Sequence, residues 1–256
     1  MKVLDLFSGI GGFALGLENA GFETAAFCEI DPYAQKVLAK NWPEVPIYDD
    51  VRRITADRLV SDGVGVDVIT GGFPCQDISV AGSQKGIDAE RSGLWSECAR
   101  LLGDVRPRYA IFENVTNLLT GDGGDWFKRV LWDISSVGYD AEWHCISASA
   151  IGAHHHRDRV WILAHPSKCE RQSGAEEQGV LRTLSQDGAI NRDSGGRSEA
   201  SFARQWDSEP NVGRVANGVS SRSHRLRCLG NAVVPQIPEL IGRQIMEREC
   251  QKLTDG

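Results

Sequence analysis

Cys75 closes the stretch Gly71-Gly72-Phe73-Pro74-Cys75, directly after the apolar run Val66-Asp67-Val68-Ile69. Two chemistries are open to a thiol there. Free cysteine is among the most buried residue types and is then inert, whereas a partly exposed thiol in an electropositive setting is a nucleophile. Position favours the second, because a side chain just past the carboxyl end of a parallel strand lies where open α/β sheets hold their ligands. Carboxylates end three other apolar runs. Glu29 follows Thr24-Ala25-Ala26-Phe27-Cys28, Asp49 and Asp50 follow Val45-Pro46-Ile47-Tyr48, and Glu113 follows Tyr109-Ala110-Ile111-Phe112. An acid at the tip of the second strand of such a sheet is placed to accept from ribose hydroxyls. One at the third, Asp50 in preference to Asp49, is placed to accept from an adenine amino group. His154-His155-His156 invites a metal reading, but only alternate residues of an extended segment share a face, and no cysteine or carboxylate stands at ligand spacing. No metal site is expected.

These tips need strands behind them and turns in front. Apolar, β-branched runs predict strands over 3–7, 24–28, 45–48, 66–69, 109–112, 139–146 and 160–164. Ser8-Gly9-Ile10-Gly11-Gly12 breaks the first strand, and a helix over 13–20 follows it, ended by Gly21. Strand, glycine turn and helix bring backbone N–H groups and a positive helix end against a ligand. The pattern is neither the dinucleotide G-x-G-x-x-G nor a phosphate-binding P-loop. Asp31 before Pro32 is a helix cap with proline at the first helical position. Amphipathic helices are expected over 94–102, 126–137 and 236–250. Residues 81–86 read as a polar, glycine-rich loop, and Leu229-Gly230-Asn231-Ala232-Val233-Val234-Pro235 as a turn into the last helix.

Composition bounds the class. With 256 residues, 41% hydrophobic and 25% charged, the chain can bury a full core. No apolar run reaches the roughly 18–20 residues that span a bilayer, and the first residues lack a signal-peptide pattern. Seven cysteines with no C-x-x-C pair argue against a disulfide framework or a zinc ribbon. A reducing cytoplasm and no membrane partner are expected. The net charge of −7 is unpromising for a polyanion binder taken whole, yet residues 166–229 carry ten Lys+Arg against eight Asp+Glu, nine of the ten being arginine. Polyanion contacts are expected to concentrate there. From about 166 to 203 the chain turns polar and glycine-rich, with Val180-Leu181 and Ile190 as isolated apolar residues.

In order along the chain, Asp5-Leu6-Phe7-Ser8-Gly9-Ile10-Gly11-Gly12, Glu29-Ile30-Asp31, Gly72-Phe73-Pro74-Cys75-Gln76, Glu113-Asn114-Val115, Arg157-Asp158-Arg159 and Leu229-Gly230-Asn231-Ala232-Val233 resemble the motifs of cytosine-C5 DNA methyltransferases. The likeness spans residues 1–165 and about 212–250. It implies an α/β, Rossmann-like class I S-adenosylmethionine methyltransferase fold. The sheet would be seven-stranded and mostly parallel, flanked by helices, with a small irregular second domain. The implied division is 1–165 for catalysis and cofactor binding, 166–211 for target recognition, and 212–256 for a segment returning to the catalytic domain. Implied partners are double-stranded DNA and S-adenosyl-L-methionine, with restriction-modification as the setting.

The resemblance also assigns roles. Cys75 is the nucleophile that adds to cytosine carbon 6, since carbon 5 alone is too weak a nucleophile to take a methyl group. Glu113, its pKa raised by burial, would be the acid at ring nitrogen 3. Arg159 would hold the base carbonyl, with Arg157 beside it. Phe7 would pack on the adenine, Ser8, Gly9, Ile10, Gly11 and Gly12 would hold the methionine end, and Glu29 the ribose, with Ile30 of the same motif also at the cofactor. Asp50 with Val51 would take the adenine edge, and Phe73, Pro74, Asn231 and Val233 would complete the pocket. The target base must leave the duplex stack for a thiol to reach it. His155 stands where the family's arginine motif usually begins with glutamine. Three other readings stay open: an RNA cytosine-C5 methyltransferase of the same fold, a non-catalytic nucleic-acid-binding relic, and a generic nucleotide-using Rossmann enzyme.

Overall fold

The computed structural model describes residues 1–74, 93–167, 180–181 and 222–254. Cys75, the 81–86 loop, residues 212–215 and almost all of 166–211 lie outside the described residues. Seven strands, β1 (Lys2–Leu6), β2 (Glu23–Cys28), β3 (Ile47–Tyr48), β4 (Val68–Gly72), β5 (Tyr109–Val115), β6 (Tyr139–Ser147) and β7 (Asp158–Pro166), form one sheet in the order β3-β2-β1-β4-β5-β7-β6. The first five run parallel, and β7 is antiparallel to both β5 and β6. This is the mostly parallel seven-stranded sheet that the sequence predicts. Parallel neighbours need crossovers, and these place helices on the two faces. The helices are α1 (Gly12–Asn19), α2 (Pro32–Asn41), α3 (Ala56–Ser61), α4 (Leu94–Val105), α5 (Asp125–Ser136), α6 (Arg222–Asn231) and α7 (Gln236–Thr254).

Because side chains alternate along a strand, each central strand feeds two core layers. Leu4, Leu6, Ile69, Phe112 and Ile162 pack on one face. Val3, Val68, Ile111, Trp161 and Leu163 pack on the other, with Phe13 and Leu17 of α1 and Ile237, Ile241 and Ile245 of α7. Each such burial is worth about 1.5–3 kcal/mol. β1 lies between β2 and β4, so the strand order reverses there, and the carboxyl ends of these strands open a crevice.

α7 reaches α1 because glycines leave room. A Cβ on Gly16 would stand 2.1 Å from the Pro235 carbonyl oxygen, and one on Gly12 would stand 2.6 Å from that of Val233. A Cβ on Gly242 would meet Ala20 Cβ at 2.8 Å.

The structure departs from the sequence reading at several elements. β4 runs past the expected 66–69 to Gly72 and β5 past 109–112 to Val115, with Gly71 and Gly72 in register with Phe112 and Glu113. β3 is only two residues long, α3 has no counterpart in the sequence reading, and α7 runs on to Thr254. The residues through Asn231 read as a turn but form the end of α6, whose described side chains are mostly exposed, so no apolar period announced it. Val180 and Leu181 are buried against the sheet, and their N–H groups donate to the two oxygens of Glu142 on β6, each at 2.9 Å. Among the described residues no helix is long and apolar enough to cross a membrane.

Candidate active site

The glycine turn after β1 is held from below. Ser8 Oγ donates to the Asp5 carbonyl at 2.6 Å and accepts from Cys28 N–H at 3.2 Å. Its hydroxyl therefore braces β1 against β2, and Ser8 itself is buried. Phe7 takes a left-handed conformation at φ 53, as do Gly9 at φ 54 and Gly11 at φ 89. For Phe7 this is a strained, non-glycine conformation of the kind found at ligand sites. Gly11 has a second constraint, since a Cβ there would strike the Trp42 ring at 2.6 Å. Glu29 completes the turn: its two carboxylate oxygens accept from Gly9 N–H and from Asp31 N–H, each at 2.7 Å.

Asp31 caps α2 by accepting from Tyr33 and Ala34 N–H, and it pairs with Arg227 of α6. Burial pushes its carboxyl up, but those backbone donors and the guanidinium outweigh it and hold the pKa below the usual range. Asp50 caps the short helical turn Val51–Arg53 and accepts from the Arg52 side chain at 2.9 Å, which lowers its pKa. Its side chain is 20% exposed against 63% for Asp49, so Asp50 is the more enclosed of the two, although both line the same cavity.

That cavity, about 810 Å3, lies over the carboxyl ends of the strands. Of the residues singled out from sequence it gathers Phe7, Gly9, Glu29, Ile30, Asp50, Val51, Phe73, Pro74, Glu113, Arg157, Arg159 and Asn231. Ile10, Gly11, Gly12 and Val233 instead line an adjoining hollow of about 600 Å3, which shares Arg157 with the first. The Phe73 ring is buried and packs 4.8 Å from the Trp95 ring, so the residue meets the cavity from the core side. Pro74 is the last described residue before Cys75, whose sulfur is outside the described residues.

At the other wall, Glu113 Oε1 and Arg159 Nε are 2.8 Å apart. Only 8% of Glu113 is exposed. Burial raises its pKa above the ordinary value, while Arg159 and Arg157 pull it back without cancelling the rise. Arg157 donates to the Gly230 carbonyl at 2.8 Å and so ties this wall to α6. The result is a protonatable carboxyl under two guanidiniums, suited to a polar group that accepts at one edge and takes a proton at another. Cys28 also lines the cavity, but burial, with the charges of Glu29 and Asp50, pushes its thiol to about 12. It is no nucleophile at neutral pH.

Three contributors were not singled out from sequence. Asn114 is buried, donates to the Phe73 carbonyl at 2.9 Å and accepts from Val115 N–H, so it fixes the backbone entering the Pro74-Cys75 turn. Its place next to Glu113 was the available signal. Leu94 and Arg227 close the cavity from α4 and α6, and nothing local marks either. Among the described residues no group of three or more His, Cys, Asp or Glu is arranged to hold a metal.

Comparison with known proteins bears on this geometry. The family model for C-5 cytosine-specific DNA methylases matches residues 1–194. The chain belongs to that family. It is 40% identical over 168 residues to the type II methyltransferase M2.BsuMI of Bacillus subtilis, a match covering 64% of this chain and 42% of that one. The type II methyltransferase M.HgiBI of Herpetosiphon aurantiacus is 35% identical over 169 residues, covering 66% and 38%. The matched stretch thus spans less than half of these curated relatives. The fold also matches the methyltransferase EhMeth of Entamoeba histolytica, with a TM-score of 0.62 over 97% of this chain and 98% of that one at 16% identity. In this C-5 cytosine-specific DNA methylase family member, described residues of all six motifs, from Phe7 to Asn231, line one cavity.

Proposed function

We propose that the protein transfers a methyl group from S-adenosylmethionine to carbon 5 of cytosine in double-stranded DNA. The observation that carries this reading is the buried Glu113–Arg159 pair, in the same cavity as the glycine turn, Glu29 and Asp50. The family's description as DNA methylases favours DNA over RNA.

The residues present fit the cofactor. Gly9 lines the cavity, and no described residue stands within 4 Å of where a Cβ would be, which leaves space beside the turn for a ligand. Each Glu29 oxygen uses one lone pair on a backbone N–H and keeps another for a ribose hydroxyl. Asp50 and Val51 would take the adenine edge, Ile30 and Phe7 its faces, and Gly12, Asn231 and Val233 the methionine end. When bound, S-adenosylmethionine supplies an electrophilic methyl group on a sulfonium.

The chain's own residues do the rest. Cys75, as thiolate, adds to carbon 6 of the extruded cytosine while Glu113 gives its proton to nitrogen 3, and carbon 5 becomes nucleophilic. Arg159 holds the base carbonyl and the Glu113 carboxyl in one plane, and Arg157 keeps the site positive. After methylation a base, for which water suffices, takes the carbon 5 proton, the sulfur leaves carbon 6 with its bonding pair, and nitrogen 3 returns its proton to Glu113, which restores the ring and the Cys75 thiolate. Residues 1–165 are the catalytic part in this reading, 166–211 the target-recognition segment, and 212–256 the return segment. The odd cysteine count supports action in a reducing cytoplasm.

The test is trapping. With S-adenosylmethionine and duplex DNA containing 5-fluorocytosine, the protein is expected to form a covalent adduct resistant to denaturation, since fluorine does not leave as a proton does. Cys75→Ser should form none while still binding the cofactor. An adduct of undiminished yield with the serine variant would refute the assigned nucleophile.

A further inference from the structure

Three hollows meet around α6. The catalytic cavity shares Arg157 with the adjoining 600 Å3 hollow, and it shares Cys228 with a groove of about 450 Å3 between α2 and α6. Hollow and groove have Ile10, Asn41 and Leu229 in common. Together they make one trough that leads from Arg157, past Ile10 and Leu229, to the outer faces of α2 and α6.

The charge along the groove is one-sided. Among the described residues its charged side chains are Lys36, Lys40 and Arg225, all exposed, and no carboxylate lines it. None of the three forms an ion pair with a described residue, in contrast to Arg227 on the same helix, which is paired with Asp31. Lys36 and Lys40 stand one turn apart on one face of α2, a spacing at which like charges repel. In a chain of net charge −7, three unneutralised cations around one groove call for an anionic occupant. Among the described residues the hollow contains one acid, Glu18, and its oxygens are engaged by Trp42 Nε1 and Thr24 Oγ1. At the rim the Tyr33 and His224 rings are stacked, centroids 5.5 Å apart at 29°, which offers a flat face of the kind on which nucleobases settle.

We propose that the α2–α6 groove at the outer end of this trough, beyond the hollow assigned above to the methionine end of the cofactor, carries the phosphodiester backbone of the target DNA strand past the extruded nucleotide, with Lys36, Lys40 and Arg225 neutralising phosphates. The inference rests on the cytosine-methylation reading above and adds to it a second contact surface, away from the residues that handle the base. Such contacts fix register and supply affinity without reading sequence. The surface also relieves the 166–211 segment of having to provide all of the attraction for DNA.

The test is the salt dependence of DNA binding by the full chain, using a fluorescently labelled duplex with S-adenosylhomocysteine present. Removing three phosphate contacts, in K36A/K40A/R225A, is expected to flatten the slope of log K against log salt by about 2 to 3. The dissociation constant at roughly 0.1 M salt should rise by at least about tenfold. K36R/K40R should keep the slope of the parent protein. K128A/R129A, which removes two exposed cations on α5, should keep it as well. S-adenosylmethionine affinity, measured by calorimetry, should be the same in all of them, which also reports intact folding. An unchanged slope in the triple variant, or an equal loss in the α5 variant, overturns the trough while leaving the methylation reading in place. A parent protein that neither binds nor methylates duplex DNA overturns both.

Discussion

The Glu113 carboxyl is 2.8 Å from the Arg159 guanidinium and yet titrates above the ordinary carboxylate range, because burial outweighs the ion pair. An acid held in that balance keeps its proton further up the pH scale than a surface glutamate, with a cation fixing its direction. Glu113→Gln is expected to slow methyl transfer by roughly 10²- to 10⁴-fold. In the parent protein the rate should fall as pH rises through the elevated Glu113 pKa and the proton is lost. Single-turnover rates across pH should show that limb in the parent and its absence in the glutamine variant.

Asn114 acts at one remove. Its amide donates to the Phe73 carbonyl, and Asn114→Ala leaves that buried oxygen without a partner, at a cost of about 1–3 kcal/mol. The variant should melt several degrees lower and transfer the methyl group at least about tenfold more slowly. The Glu113 pH limb should persist, because Asn114 positions the turn and touches no reacting atom. Loss of that limb in Asn114→Ala would mean the two residues work as one unit.

The seam between α1 and the return segment should tolerate no side chain. Gly16→Ala places a Cβ 2.1 Å from the Pro235 oxygen, and the backbone must move to admit it. We expect destabilisation of about 1–3 kcal/mol or more, read from the urea midpoint. Gly65→Ala, where the nearest atom to the new Cβ is the Lys2 side chain at 3.5 Å, should change stability by about 0.5 kcal/mol or less.

Asp5 offers a pH test of stability. It is fully buried, one oxygen accepts from Thr70 Oγ1 at 2.6 Å, and the other has no hydrogen-bond partner among the described residues. Burial, opposed by the Thr70 hydrogen bond and reinforced by Glu29, lifts its pKa from 3.8 to about 7. A carboxyl with a raised folded-state pKa favours the fold fully below pH 3.8, and the contribution is lost as pH rises through about 7. Asp5→Asn, which imitates the protonated acid, should therefore be the more stable protein above about pH 7, by at most roughly 4 kcal/mol. The gap should close toward pH 4, and chemical denaturation at the two pH values checks it.

The strand tips were legible because each couples two local signals, an apolar run and an acid or glycine behind it. Glu29 and Asp50 stand just past the ends of β2 and β3, Glu113 falls inside β5 because that strand pairs with β7 as far as Val115, and Asp31 before Pro32 marked the cap of α2. Seven strands were readable on the same basis, whereas the packing of the last helix on the first part of the chain was an expectation from the family resemblance. What was hidden depends on contacts between distant residues. α6 is nearly all polar and is held by Arg227 on Asp31 and by Arg157 on the Gly230 carbonyl, neither visible in its own sequence. Val180 and Leu181 looked isolated because the group that receives them, Glu142, is on another strand. The Ser8 hydroxyl faces down toward Asp5 and Cys28, a direction that follows from the three-dimensional turn and not from the motif.

Gly12 and Val233 touch across nearly the whole span of the chain. During translation the sheet and its row of acids emerge long before residues 231–235 do. A nascent polypeptide that has not yet reached these residues therefore has the floor of the cavity without its far wall, and the proposed methyl transfer has to wait for them.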